Sequence, residues 1–329
     1  MISCTFFPPI QLNHSCLLAL FLTCILGVGS TRLRAQTNAQ EVPLAVQLRN
    51  RIAHNQEAIQ TAESQSLPNP KLGILWAQLA LDYREASDFS RSEDAYHRSI
   101  QLLRDAPASR ADYATVLANL GSLYFIYDRL EEASLPTKQA LAIRQELGDE
   151  VNIALSRQHL ADLDLARHKF KEAEIEASLA YETLSTAGKT NKAALVASLV
   201  SLTYSRCELS RCSQGVQDAQ LAIDTVRSSL PPDSIQAGQA FMAMGFAQWK
   251  SGENQQAEQA MLQGIRVIKT QGLAGNPLLL YSLTQYRGFL KAMHRIPELR
   301  QVDEQLALSK HQVCASCTVG LSTLSGSMR

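Results

Sequence analysis

His311, Cys314 and Cys317 fall three residues apart near the carboxyl end, giving His-x2-Cys-x2-Cys. Two thiols and an imidazole on one short segment are soft ligands that could seat zinc if a fourth donor came from elsewhere. The same pair of cysteines could instead close a local disulfide, or stand as inert thiols. A second CxxC is lacking, and Thr318 stands where haem attachment would need a histidine. Cys207 and Cys212 are the other pair, five residues apart across a predicted helix turn. They read either as a disulfide, or as a small buried hydrophobe at Cys212 beside an idle thiol at Cys207. No G-x-S-x-G, G-x-x-x-x-G-K-[ST] or H-E-x-x-H motif occurs. The expected class is therefore non-enzymatic, with no cofactor.

These residues are spaced by a repeating framework. From Gly73 to Lys310 a pattern of bulky and small residues returns six times at steps of 40 to 42 residues. Trp76, Leu79, Ala80 and Tyr83 recur as Leu117, Leu120, Gly121 and Tyr124, and again as Leu199, Leu202, Thr203 and Arg206. A second set, Phe89, Ser92, Tyr96 and Ser99, recurs as Leu130, Ala133, Thr137 and Ala140. Both sets have helical spacing, and polar pairs such as Ser87-Asp88, His168-Lys169 and Gly252-Glu253 divide them. Between units lie Pro68-Asn69-Pro70, Gly148-Asp149 and Pro231-Pro232-Asp233, where glycine closes helices and proline prevents their continuation.

Trp76-x2-Leu79-Ala80-x2-Tyr83 with Phe89, Ser92, Tyr96 and Ser99 resembles a tetratricopeptide repeat, over roughly 240 residues. The long period is similar to that of kinesin-light-chain-like members. The resemblance implies an all-α, right-handed superhelical solenoid of about six antiparallel helix pairs. Units are expected to start near residues 73, 114, 154, 196, 238 and 280 of a solenoid spanning 71–311. Residues 36–70 would form a capping helix and linker, with Arg49, Asn50, Arg51 and Gln56 on a polar outer face. A cysteine-containing tail would occupy 312–329.

The resemblance also implies a concave groove lined by the first helix of each pair. Carried over onto this chain, that face comprises Arg84, Asn119, Ser122, Phe125, Gln158, Asp162, Tyr204, Met242, Phe246, Trp249 and Tyr281. Aromatic anchors with few charges suit a peptide or protein partner. Trp249 is equally readable as core. The carboxylate clamp of some relatives needs Lys, Asn and Arg where this chain has Ala77, Ala118 and Gln158, so an acidic carboxyl-terminal tail is not the expected ligand.

Charge balances at 31 basic and 31 acidic residues, which with 6% aromatics leaves no basic stripe for nucleic acid. No small-molecule substrate is evident. An apolar run at 16–29 has the length of a signal h-region, and residues 1–35 are expected to direct export to a periplasmic or secreted location. Arg32 and Arg34 follow the run rather than precede it, so the alternatives are a cytoplasmic protein with a non-functional leader, or membrane contact through an uncleaved one.

Overall fold

Every helix pair turns on a residue in the left-handed region. Ser87, Asp128, His168, Ser210, Gly252 and His294 have φ between 56° and 85°, at successive separations of 41, 40, 42, 42 and 42 residues. One residue further on, the backbone N–H returns to a carbonyl five residues earlier: Asp88 to Tyr83, Arg129 to Tyr124, Lys169 to Asp164, Arg211 to Arg206, Glu253 to Gln248 and Arg295 to Leu290, at 2.8–3.0 Å. This is the Schellman closure, which satisfies the last carbonyls of one helix as the chain reverses. Asp88 then caps the next helix by accepting from the Arg91 N–H at 3.2 Å.

The computed structural model describes residues 44–186, 191–270 and 277–308. Helix α1 (Leu44–Ser64) precedes six pairs: α2 (Asn69–Glu85) with α3 (Phe89–Leu103), α4 (Arg110–Ile126) with α5 (Leu130–Leu147), α6 (Glu150–Ala166) with α7 (Phe170–Thr186), α8 (Lys192–Glu208) with α9 (Cys212–Ser229), α10 (Ile235–Lys250) with α11 (Asn254–Thr270), and α12 (Pro277–Ala292) with α13 at 296–308. A 3₁₀ turn, Pro107–Ser109, leads into α4. No strand occurs among the described residues. The fold is an all-α solenoid of antiparallel helix pairs of the tetratricopeptide type.

The small residues of the repeat explain the close fit within pairs. Ala80, Ala161, Ala173 and Ala257 have no exposed surface. A Cβ at Gly245 would lie 2.8 Å from the Ala257 carbonyl, and one at Gly264 2.8 Å from the Gly238 carbonyl, so α10 and α11 meet backbone to backbone. In the first pair the small positions are serines, whose hydroxyls donate across it: Ser92 to the Ala80 carbonyl at 2.8 Å and Ser99 to the Gly73 carbonyl at 2.7 Å.

Consecutive pairs are joined by a recurring polar clamp. A glutamate on each of three second helices holds an arginine from the following turn: Glu93 with Arg129 at 3.0 Å, Glu174 with Arg211, and Glu258 with Arg295 at 2.5 Å. Tyr124 and Tyr286 donate their hydroxyls to Glu93 and Glu258 at 2.7 and 2.9 Å. Helix α1 substitutes for a second helix ahead of the first pair. Arg51 pairs with Asp82 and Glu85, Asn55 donates to Asp82 at 2.6 Å, and Gln56 donates to the Tyr83 hydroxyl at 2.8 Å. Arg51 and Gln56 therefore face α2, not the outer polar surface expected of them.

The apolar core is not continuous. One body gathers residues of α1 through α5 with Leu163 of α6, another those of α7 through α13 with Ala154 of α6, and a small third one joins Ala161 of α6 to Ala177 and Leu202. At this seam polar side chains are buried among the apolar ones: Arg144, Ser156 and Gln158 are each at most 4% exposed. The Arg144 guanidinium donates to the Ser156 hydroxyl at 2.6 Å, and burial pulls its pKa down to about 10.

Candidate functional site

First helices of successive pairs touch directly, α4 with α6, α6 with α8, α8 with α10 and α10 with α12, while second helices pack chiefly against the first helices before and after them. The tighter row marks the inside of the curve, so residues on α2, α4, α6, α8, α10 and α12 line it. One register position, the residue after the small one, faces inward in successive units: Ser122, Asp162, Tyr204 and Phe246. The position one turn earlier carries Asn119, His159 and Ser201.

The expected groove residues divide into two groups. Met242 and Phe246 are 3% and 5% exposed and belong to the core. Met242 is directed at α11, because its side chain occupies the space beside Gly264. Phe246 is covered by the Tyr204 ring, 4.7 Å between centroids, and by the Lys250 ammonium. Trp249 is half-buried and edge-on to both Phe246 and Phe289, at 6.2 and 5.9 Å, so it stitches α10 to α12. Arg84, Asn119 and Phe125 are partly open. Tyr281, at 48% exposure, is the most open of the set.

A cleft at the polar seam brings the remaining residues together. Gly121, Ser122 and Phe125 of α4, Ala133 and Thr137 of α5, and His159, Asp162 and Leu163 of α6 line it. The Asp162 carboxylate accepts from the Ser201 hydroxyl at 2.7 Å and from the Gln158 amide at 2.8 Å. Burial raises its pKa to about 6, against the opposing effect of those two donors. His159 is held neutral, its pKa lowered well below the usual imidazole value by burial and then by Arg144 and Arg84. Ser122 is 5% exposed, and its hydroxyl has no hydrogen-bond partner among the described residues. On the facing side, the Tyr281 phenol is pushed up to about 12, first by burial and then by the Asp162 charge. Ser201 and His159 went unnoticed in the sequence, although they share the register of Asn119.

Cys207 and Cys212 are free thiols. Cys207 is buried against Gly215 across the turn, and burial followed by the neighbouring Cys212 pushes its thiol pKa up, so it is a poor nucleophile. His311, Cys314 and Cys317 lie outside the described residues, as does the apolar run at 16–29.

No family model matches this sequence, and no curated protein matches it. Solved structures do. The apo form of RapI aligns over 82% of this chain and 93% of its own at 14% identity, with a TM-score of 0.66. A Rap protein complexed with Competence and Sporulation Factor aligns over 84% and 89% at 12% identity, TM-score 0.57. BtubC (BKLC) from P. vanneervenii aligns over 68% and 91% at 19% identity, TM-score 0.56. At such identities the likeness is one of fold: a solenoid of helix pairs.

Proposed function

We propose that this chain is a non-catalytic scaffold that holds a peptide or protein partner along the inner curve of its first helices. The observation that carries this reading is Tyr281, a large ring left half open on the first-helix face and packed edge-on against Tyr204 two units earlier. Partly open aromatic rings are the side chains that most often anchor a bound partner. The Rap protein complexed with Competence and Sporulation Factor supports it, since a solenoid of similar outline accommodates a partner. The apolar run at 16–29 supports export as the setting in which that partner is met. Crosslinking in native cells followed by mass spectrometry tests the reading. Partner crosslinks should fall on α4, α6, α8 and α12. Crosslinks confined to the outer faces of the second helices, around the exposed Leu135, Ile175 and Leu221, would replace the groove by an outer surface.

A further inference from the structure

We propose that the cleft around Asp162 receives a basic side chain, a guanidinium or an ammonium group, of the segment held in the groove. This deepens the scaffold reading above and rests on it. Several carboxylates between helices elsewhere in the solenoid meet arginine: Asp82 meets Arg51, Glu93 Arg129, Glu176 Arg157, Asp218 Arg206 and Glu258 Arg295. Asp162 differs from these. Its two partners, Ser201 and Gln158, are neutral, and no basic group among the described residues pairs with it. Of the two cations that act on the adjacent His159, Arg144 is hydrogen-bonded elsewhere. Arg144 donates to Ser156 and to the Asn152 carbonyl, and neither it nor Arg84 pairs with Asp162 among the described residues.

A desolvated carboxylate is costly unless a cation meets it. An ionised carboxylate offers about four acceptor directions, and Ser201 and Gln158 account for two of them here. What surrounds the remainder suits a cation. Phe125 lines the cleft from α4, and outside its lining the Tyr281 ring, edge to face with Tyr204 at 6.4 Å, is near enough to feel the Asp162 charge. Aromatic faces attract ammonium and guanidinium groups, the more so when desolvated. The Ser122 hydroxyl, without a partner among the described residues, can accept one N–H. Charge complementarity thus selects a partner segment bearing arginine or lysine, and disfavours an acidic one.

The test is a random dodecapeptide array probed with the full chain, followed by solution titration of the bound peptides. The bound set should be enriched in arginine or lysine. Replacing that residue by citrulline or norleucine in the peptide should weaken binding about 10- to 100-fold. Asp162→Asn should erase the difference between basic and neutral peptides while circular dichroism stays unchanged. The peptide substitutions stand even if that variant fails to fold. Peptides bound without preference for basic residues would overturn this site and leave the scaffold reading intact. A chain that binds no peptide would remove both.

Discussion

Tyr281 on α12 reaches past α10 to lie edge-on to Tyr204 on α8, with 6.4 Å between ring centroids. Two units apart in the chain, the residues are neighbours because the first helices crowd together on the inner curve. That contact makes the inner wall a surface shared by three units, and its two sides differ in what they contribute. Tyr204 is 8% exposed and Tyr281 48%. Tyr281→Ala should therefore cost only about 1 kcal/mol of stability while abolishing partner capture. Phe246→Ala, by contrast, empties a core site and should cost about 3–5 kcal/mol. Urea denaturation of the two variants beside a binding assay separates the roles. Equal destabilisation by both would place Tyr281 in the core as well.

The inter-unit clamp invites a double-mutant cycle. Glu258 accepts from the Tyr286 hydroxyl and pairs with Arg295, and both partners retain some solvent contact. Glu258→Gln and Arg295→Met are each expected to destabilise by about 1 kcal/mol, with a coupling of about 0.5–1 kcal/mol that shrinks at high salt. A coupling near zero at low salt would mean that the clamp fixes geometry without adding stability.

The repeat frame was legible in the sequence because its causes are local. A left-handed turn residue, a proline or glycine at a joint and a small residue at the close approach are each visible one at a time, and the structure places the turns at Ser87, Asp128, His168, Ser210, Gly252 and His294. The division of the inner face into core and open wall was not legible, because it depends on how tightly successive first helices crowd. Met242 and Phe246 have the register of groove residues but are covered by Gly264 and Tyr204. The isolation of Asp162 was likewise hidden. The arginines that answer the clamp glutamates come from turns 36 or 37 residues later, and only the folded arrangement shows that Asp162 has neutral partners instead.

Tyr96 is fully buried, and its hydroxyl has no hydrogen-bond partner among the described residues. Burial also pushes its pKa up to about 12. Burying an unsatisfied hydroxyl costs free energy that the ring itself does not need. Tyr96→Phe should stabilise the chain by about 1 kcal/mol, read as a higher urea midpoint at unchanged slope. A loss of stability would reveal that the hydroxyl is satisfied in solution.

The turn residues differ in what their backbone demands. Ser210 is exposed with φ of 63°, whereas Gly252 adopts 85° with open space around its Cβ position. Left-handed backbone disfavours a side chain by about 1–2 kcal/mol. Ser210→Gly should be neutral or stabilising by up to about 1 kcal/mol, and Gly252→Ala destabilising by about 1 kcal/mol. Opposite signs at equivalent positions, in thermal or urea unfolding, would confirm that conformation and not contact sets the cost.

Asp162 gives the solenoid a pH dependence with a definite sign. Its folded-state pKa of about 6 lies above the ordinary carboxylate value of 3.8, so between about pH 4 and 6 the native chain binds more protons than the unfolded one. Linkage then makes this group's contribution to stability fall as pH rises through that window and level off above it. His159 does not counter the effect, since it is held neutral, and the phenols of Tyr204 and Tyr281 are both shifted upward and stay protonated. Asp162→Asn should flatten the slope of stability against pH between 4 and 6 and leave the chain more stable than the wild type at pH 7. Binding of a basic peptide should run the opposite way. It needs the ionised carboxylate, so affinity should rise about tenfold from pH 5 to pH 7 in the wild type and stay level in the Asn variant. An affinity independent of pH in both proteins would show that the carboxylate does not meet the ligand.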